Sequence, residues 1–516
     1  MFDPDIAPSG TLLGLLQRGR GDGTLHALAA PRAEALAALH HCVLRDPRRD
    51  WQVENRSLYY ARLCLDLQCD LGEIEQHLFH PDDLLDDAEE RTGLALSVLG
   101  HLASYGRDDA LLLLRRYAAS GTNWTWALDE LALRDDDGGL RGLAPAILGR
   151  FPASPEGDAE LAAAVRGAYE PRPWRLWADD PRLGARVRAA QERGAFDRWQ
   201  RQLRPTGPRP GWSVRDVLRW AQGEQDALDA LPGARRHDAA ARCLAAVAGP
   251  EDRPELLAAA AGAPDAARAA ALRHLAETGD PEVLDLIEAA VTGFVPVRPA
   301  RTVVPGSAPE SAAEPLRQRG DDLALDVSSL VIGPTSPLVA EAALAAFSRM
   351  RSVAALDRAR VWAPRPDALG EAAAEMLACR GGQYDAGLVL AALRRTVRAE
   401  GPDARALWPL VDGAGRLAIG CAAPVLRHIY RETSSSHLRG RAAHALAATD
   451  PSFAAGFAVE CLWDCEESTR ELAARHAATA DDRVVTQLRR LATDPAEEAE
   501  VQTAVRSRFG PDTTSV

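Results

Sequence analysis

Tryptophan and arginine, the residues of this sequence best suited to recognition chemistry, are concentrated between residues 171 and 220. This stretch carries twelve arginines, five acidic residues and five of the chain's 11 tryptophans. Arginine stacked on indole can bind nucleobases, phosphate or an acidic partner, and both residue types are enriched at protein interface hot spots. We therefore expect a partner-binding surface here. Its candidate residues are Arg172, Trp174, Arg175, Trp177, Arg182, Arg209 and Trp212.

The same stretch has a second interpretation, in which the indoles fill a break in the helical pattern and the arginines pair within the chain. We expect a mixture of the two. Trp199 and Trp220 lie on helical patterns and should be buried, whereas Trp174 and Trp177 lie beside prolines and aspartates and should be more exposed. The net charge of −14 argues against nucleic acid as the partner, because duplex binders usually present a strongly basic face.

Cysteine and histidine could bind a metal, but their spacing does not favour it. Cys461 and Cys465 lie four residues apart, on one face of a helix. A structural zinc site needs four ligands at characteristic spacings, so packing in the core is the better interpretation for this pair. The consecutive residues 40–42 (His-His-Cys) point in different directions on a helix and cannot converge on one ion. The sequence therefore predicts no metal site and no cofactor.

The composition excludes several classes of enzyme. All 60 basic residues are arginine and none is lysine, a bias typical of GC-rich bacterial coding sequences. Phosphate-binding G-x-x-x-x-G-K-[ST] loops, Schiff-base lysines and kinase-type lysines are therefore excluded. The hydrolase motifs G-x-S-x-G and H-E-x-x-H are also missing. These absences favour a protein that is not an enzyme.

The chain shows no pattern typical of export or membrane insertion. Its first residues, MFDPDIAPSG, have neither a basic nor an apolar region, and no apolar run approaches the roughly 20 residues of a membrane helix. We therefore expect a cytoplasmic protein without a membrane segment, in which the 8 scattered cysteines stay reduced.

Helical periodicity runs through most of the chain, whereas strand patterns are nearly missing. In the clearest example, residues 264–293, Asp265 is the predicted N-cap of one helix and Gly279 its left-handed C-terminal residue. Asp280 then opens a second helix. Similar pairs recur at roughly thirty residues, as in α-solenoids. The sequence predicts an all-α fold with helix in more than about 60% of its residues.

Three segments share a finer pattern. An arginine is followed by alanine three residues later, Leu or Ala at seven, and Gly or Asp at eleven or twelve. This pattern resembles the short HEAT-like repeats of the PBS-lyase type. The resemblance implies an α-α superhelix in which repeat arginines lie near turn aspartates of their own or the adjacent repeat, as rungs of a ladder. The residues concerned are Arg268, Asp280, Arg439, Asp450, Arg470 and Asp481.

Composition shifts divide the chain into six predicted segments. Residues 294–322 are rich in Pro, Ser and Arg, and we predict that they form a linker or long loop. The segments are an N-terminal helical cap (1–90), HEAT-like repeats (91–150), a Trp/Arg-rich helical insert (151–235), further repeats (236–293), the linker (294–322) and C-terminal repeats (323–516).

Two hypotheses for function follow. The first is a non-enzymatic scaffold or adaptor that presents a solenoid surface to another cytoplasmic protein. The alternative is a HEAT-like enzyme, which acts on nucleic-acid bases in the manner of a glycosylase or handles a chromophore in the manner of a lyase. If Trp174, Trp177 and Arg175 line a pocket with one inward carboxylate, the enzyme is favoured.

Overall fold

The computed structural model describes residues 6–47, 54–84, 89–202, 211–222, 233–293 and 336–509. Helix accounts for 76% of this described part, which contains no strand. The predicted all-α class is therefore confirmed, with a helix content above the expected value. The predicted linker at 294–322 lies outside the described residues, as does Arg209.

The chain forms two compact units. Unit 1 combines residues 1–205 with residues 382–516, and unit 2 comprises residues 206–381. The first and last parts of the chain thus share one unit, an arrangement that the six-segment division does not anticipate.

The helices of unit 1 come from both parts of the chain. They are α1 (Leu12–Gln17), α2 (Gly21–Ala29), α3 (Arg32–Leu44), α4 (Arg56–Asp66), α5 (Gly72–Leu78), α6 (Glu89–Ser104), α7 (Asp108–Ser120), α8 (Trp124–Arg134), α9 (Asp137–Leu148), α10 (Pro155–Gly167), α11 (Arg172–Ala178) and α12 (Gly184–Gln202), followed by α21 (Ala386–Glu400), α22 (Leu407–Arg416), α23 (Ala423–Glu432), α24 (Ser436–Thr449), α25 (Phe457–Cys461), α26 (Glu467–His476), α27 (Asp482–Thr493) and α28 (Ala499–Phe509).

Unit 2 supplies the helices in between. They are α13 (Val214–Gln222), α14 (Gly233–Val247), α15 (Arg253–Gly262), α16 (Asp265–Thr278), α17 (Val283–Thr292), α18 (Pro337–Arg349), α19 (Val353–Trp362) and α20 (Ala368–Arg380). Short 3-10 turns lie at Pro81–Leu84, Pro250–Asp252, Gln383–Asp385, Gly420–Ala422 and Phe453–Ala455.

Within each unit, helices pack against the next helix and against the next but one. In unit 2, α16 contacts α14 and α18, and in unit 1, α24 contacts α22 and α26. Small side chains permit this close packing. A Cβ on Gly415 of α22 would lie only 2.9 Å from the Cα of Ala445 in α24, so alanine or any larger residue at 415 would push these helices apart.

The helix ends in 264–293 follow the sequence prediction only in part. Gly279 ends α16 with φ of 79°, so its predicted left-handed conformation is confirmed. Asp265 is the first residue of α16 and makes no side-chain cap, which corrects the N-cap prediction. Asp280 accepts a hydrogen bond from the backbone N–H of Glu282 at 3.0 Å, and the helix it was expected to open begins only at Val283.

Contacts between residues 18–66 and residues 431–497, which we call the closing seam, join the two parts of unit 1. The backbone N–H of Cys465 donates to the carbonyl of Gly19 at 2.9 Å. Gly19 has φ of +65°, and a Cβ on Gly21 would collide with the carbonyl oxygen of Glu460. Glycine at these two positions therefore lets the two backbones meet.

Two fully buried arginine–carboxylate pairs lie at this seam. Arg439 donates to both oxygens of Asp464 at 2.8 and 2.9 Å, and also to the carbonyl of Gly19. Arg470 donates to both oxygens of Glu497 at 2.9 and 2.7 Å. The arginine and carboxylate side chains of both pairs are at most 1% exposed. Charges this deep must be paired, because an unpaired buried charge is very costly.

The turn aspartates of the repeat pattern have other partners. Asp450 pairs with Arg427 at 2.6 Å and Asp481 with the exposed Arg483. Asp280 pairs with Arg253 at 2.6 Å.

Arg268 instead donates to the carbonyl of Ala260 at 3.0 Å. The structure thus places Arg439 and Arg470 against other acids of nearby turns, and places Arg268 against a backbone carbonyl.

We predict that Arg470→Ala destabilises the protein by about 3–5 kcal/mol, because it leaves the Glu497 carboxylate buried with part of its pairing removed. Arg483→Ala is the matched control, since Arg483 also pairs with an acid but its side chain is 76% exposed. Thermal melts should show a large fall for Arg470→Ala and little change for the control. Equal melting temperatures for the two variants would contradict a structural role for the buried pair.

We also predict a pH-dependent stability that originates at Glu460. Burial and the neighbouring Asp22 raise the pKa of Glu460 to about 7, so the folded state prefers the protonated carboxyl. Protonated Glu460 contributes fully to the stability of the fold below about pH 4.5, the ordinary pKa of a glutamate. This contribution is lost as the pH rises towards 7. Urea unfolding of Glu460→Gln should lack this fall; the same fall in the variant would assign it to another group.

Candidate functional site

The two tryptophans expected to be exposed are buried. Trp174 is 3% exposed and Trp177 fully buried, so that expectation is wrong. Their spacing of three residues places both on one face of α11, with the rings edge-to-face at 5.0 Å. Trp177 Nε1 donates to the carbonyl of Leu140 at 2.8 Å, and Trp124 packs edge-on against Trp174. For this pair, the structure matches the interpretation as interior packing.

The arginines around α11 divide into paired and exposed residues. Arg172 pairs with Asp137 at 2.5 Å and also donates to the carbonyl of Ala132 in the last turn of α8 and to that of Asp135 after it. Arg175 and Arg182 are exposed. Both are accessible to a partner, as are the exposed Arg188 and Arg193 of α12.

The remaining tryptophans of the stretch are only partly described. Trp212 and Trp220 are half-buried and pack edge-to-face at 6.3 Å, so Trp220 is less buried than expected. The side chain of Trp199 lies outside the described residues. Trp174 and Trp177 do not line either of the two cavities described below; a pocket that joined them to Arg175 and a carboxylate would have favoured the enzyme alternative.

A cavity of about 540 Å³ in unit 1 brings several carboxylates together. We call it the glutamate cavity. Carboxylates and imidazoles contribute most of its polar lining, and aromatic rings flank it. No arginine is among the residues that line it. The lining residues are Glu54, Asn55, Ser57, Ser97, His101, Trp126, Glu130, Tyr169, His437, Glu466 and Glu467.

Helices α6 and α8 supply one wall through residues spaced one helical turn apart. Ser97 and His101 share a face of α6, and Trp126 and Glu130 share a face of α8, because residues four apart are neighbours on a helix. A Cβ at Gly100 would collide with a Glu130 carboxylate oxygen. The glycine therefore lets this carboxylate lie directly against α6.

Ser436 at the start of α24 holds carboxylates from both sides of the closing seam. Its backbone N–H donates to Glu54 Oε1 at 2.7 Å, and its hydroxyl donates to Glu466 Oε2 at 3.0 Å. His437 Nδ1 lies 3.1 Å from Glu466 Oε2. Burial opposes ionisation of Glu466, but hydrogen bonds from His437 and Ser436 outweigh it, and its pKa is lowered.

For two other carboxylates of the cavity, the surrounding groups do not offset the cost of burying a negative charge. Burial raises the pKa of Glu130, despite its salt bridge to Arg134 at 2.6 Å. Burial, together with the charges of Glu498 and Glu466, raises the pKa of Glu467. An entering positive charge would relieve both, since an opposite charge favours the ionised form.

Of the two lining histidines, a protonated His437 would neutralise Glu466 and oppose a cation, whereas His101 does not. Burial lowers the pKa of His101 to about 3, so its ring is neutral at neutral pH. Tyr169 is 82% exposed at the cavity, and Trp126 lies on the α8 wall; aromatic faces of this kind attract cations. The cavity can therefore receive a positively charged group flanked by aromatic rings.

Sequence analysis did not find these residues. They come from six separate stretches of the chain, and none forms a motif with its sequence neighbours. The one available signal was the adjacent pair Glu466-Glu467, which resembles ordinary charge at a helix start.

Metal binding and membrane insertion find no support within the described ranges. No group of three or more His, Cys, Asp or Glu side chains there is arranged to hold a metal ion. No helix among those residues is both long and apolar enough to cross a membrane. Comparisons of the chain with protein-family models, curated proteins and solved structures find no match.

We predict that Trp174→Ala and Trp177→Ala each destabilise the protein by about 3–5 kcal/mol, because each removes a buried indole from the core. The double variant Arg175→Ala/Arg182→Ala is the control, since both arginines are exposed on the same segment. Chemical denaturation should separate the two sets clearly. Tryptophan variants as stable as the control would mean that these indoles are not packed in solution.

Proposed function

We propose that this protein is a non-enzymatic, HEAT-like helical-repeat protein that binds a partner protein in the cytoplasm. The packing of alternate helices, such as α14 with α16 and α16 with α18, supports a solenoid of stacked helix pairs. The glutamate cavity supports the binding role. Its proposed occupant is a basic side chain, arginine or lysine, of the partner.

The observation that carries this proposal is the convergence of four glutamates on one cavity. Glu54 and Glu130 already lie beside Arg56 and Arg134, yet the pKa values of Glu130 and Glu467 are raised. Two unit charges about 4 Å apart attract by about 4 kcal/mol at an effective dielectric constant of about 20. Part of this energy offsets the desolvation of the incoming cation. The remainder favours binding, because Glu130 and Glu467 are already held in an environment that disfavours their charge.

The size and walls of the cavity favour an organic cation over a bare ion. A volume of about 540 Å³ is within the usual range for small-molecule pockets, about 300–1,000 Å³. The planar guanidinium can donate to two carboxylate oxygens at once and also stack on an aromatic face. Trp126 and Tyr169 supply such faces. Phosphate groups would be repelled, which disfavours nucleic acid at this cavity.

Arg175 and Arg182 remain part of the proposed partner surface, since they are exposed. Their charge is opposite to that of the cavity. A partner that uses both regions would present a basic side chain to the cavity and acidic side chains to α11 and the turn after it.

We predict that short peptides with a single arginine bind the protein and that replacing this arginine by citrulline weakens binding at least about tenfold, or about 1.4 kcal/mol. Citrulline keeps the shape of the side chain but removes its charge. Fluorescence anisotropy of labelled peptide pairs measures the difference. Glu130→Gln and Glu467→Gln should each weaken binding of the arginine peptides, whereas Glu471→Gln, on α26 outside the cavity, should not.

The pH dependence provides a second readout of the same binding. As the pH falls, protons compete with the cation for Glu130 and Glu467, whose pKa values are raised, so affinity should decline on mild acidification. The double variant Glu130→Gln/Glu467→Gln should bind weakly with a flatter pH profile. If citrulline peptides bind as tightly as arginine peptides, the cavity does not recognise a cation and the proposal is wrong.

A further inference from the structure

A second side-chain cluster, separate from the glutamate cavity, joins a histidine to two cysteines. His40 Nε2 on α3 lies 3.1 Å from the sulfur of Cys69. Cys69 Sγ also donates to the carbonyl of Asp70 at 3.1 Å, and its backbone N–H donates to the carbonyl of Cys64, at the end of α4, at 2.8 Å. We call these three residues the thiol cluster. The partly buried glutamates and the aromatic rings of the proposed binding site do not belong to it.

The turn after α4 brings the two sulfurs together. Cys69 donates its backbone N–H to the carbonyl of Cys64 at 2.8 Å, and Gln68 between them has φ of 52°. A left-handed conformation is uncommon for a residue with a side chain. Arg32 holds the turn by donating to the carbonyls of Leu67 and Gln68 at 2.9 and 2.7 Å.

The groups around Cys69 act in both directions: His40 favours its thiolate, whereas the Asp70 carbonyl, 3.1 Å from the sulfur, favours the thiol. The hydrogen bond with Cys64 and that with His40 lower the pKa of Cys69 to about 5, although burial opposes this. The hydrogen bond with Cys69 and burial raise the pKa of Cys64. This division is the one that an attacking thiolate and a second, resolving thiol require.

The surrounding charged groups maintain this arrangement. The hydrogen bond from His40 to Cys69 raises the pKa of His40, which also feels the negative charges of Glu73 and Asp70. On the opposite side, Arg107 donates to the carbonyl of Cys69 at 3.3 Å, and its charge partly counteracts the increase at Cys64, whereas Asp109 adds to that increase.

The two cysteines of the thiol cluster are almost inaccessible to solvent, but a cavity lies next to the cluster. Cys64 and Cys69 are 2% and 3% exposed. His40, however, also lines a cavity of about 600 Å³ together with His41, Asp70 and Glu73. The two cysteines are not among the residues that line this cavity, so an oxidant must pass His40 to reach the Cys69 sulfur, and only a molecule as small as a hydroperoxide fits that requirement.

We propose that Cys64 and Cys69 form a redox-active pair whose oxidant is a hydroperoxide. The Cys69 thiolate attacks one peroxide oxygen, the O–O bond breaks, and sulfenic acid and hydroxide (or alkoxide) form. The Cys64 thiol then attacks the Cys69 sulfur, which forms the disulfide and releases the sulfenic oxygen as water, with the proton of Cys64. The two sulfurs are oxidised together by two electrons and the peroxide is reduced.

The other cysteines provide internal references for the reaction. Cys461 and Cys465 are buried, and burial raises the pKa of both thiols, so they should stay reduced. Cys379 and Cys421 are exposed and should behave as ordinary surface thiols. Cys42 is 1% exposed and reports any opening of the fold.

The test treats the full-length protein with hydrogen peroxide and identifies products by mass spectrometry. Because the chain has no lysine, trypsin cleaves at arginine and leaves both cysteines of the cluster in one peptide, residues 63–91. We expect this peptide to lose two hydrogen atoms at peroxide concentrations that leave Cys42, in the peptide 33–45, unmodified. In Cys64→Ser, dimedone should trap the sulfenic acid at Cys69.

His40→Asn tests the role of the imidazole. Without it, alkylation of Cys69 by iodoacetamide near pH 6.5 should slow about tenfold, since a smaller fraction of the sulfur is thiolate. The wild-type rate should level off at a lower pH than that of the variant. Alkylation of Cys379 should be equal in both proteins.

Two results would overturn the proposal. One is an unchanged 63–91 peptide when Cys379 and Cys421 are already oxidised. The other is alkylation of Cys69 only at the rate of Cys42, which would mean that the sulfur reacts only when the protein unfolds.

Discussion

The pairing of buried arginines at the closing seam is the constraint on which unit 1 depends. Arg439 and Arg470 have no contact with water, so each must find a carboxylate within the fold. The carboxylate of Glu497 is shared, because Arg62 from α4 also approaches it at 3.1 Å. Arg62, from the first part of the chain, thus binds Glu497, which also pairs with Arg470 in the last part. This requirement joins stretches separated by about four hundred residues.

The glutamate cavity lies beside this seam and collects four carboxylates, of which Glu54 and Glu130 have an arginine neighbour. Glu54 precedes α4, Glu466 and Glu467 begin α26, and Ser436 bridges the two sides. Elsewhere in the seam, Asp464, Asp494 and Glu497 each receive a guanidinium. The cavity keeps its carboxylates partly desolvated instead, and perturbed pKa values of this kind are concentrated at functional sites. A partner's cation would favour the charged forms of Glu130 and Glu467, whose pKa values are raised.

The sequence predicted the local features of the fold better than its long-range contacts. Helical periodicity and the glycine at 279 depend on neighbouring residues, and both predictions were confirmed. The repeat pattern located Arg439 but not its partner, since Asp450 and Asp464 are both near a turn and only packing distinguishes them. For Trp174 and Trp177, the prolines and aspartates suggested exposure. Their three-residue spacing was the better signal, because it places both rings on one face.

Helix α4 connects the three features of unit 1 that matter most. Its first turn contributes Ser57 to the glutamate cavity, its middle contributes Arg62 to the seam, and its last turn contributes Cys64 to the thiol cluster. Eleven residues span only about 15 Å. Groups more than about 7–10 Å apart usually act independently, so these sites would couple only through a shift of the helix itself. A bond between Cys64 and Cys69 would alter the end of the same helix that anchors the seam, so oxidation there and binding in the cavity act on one structural element.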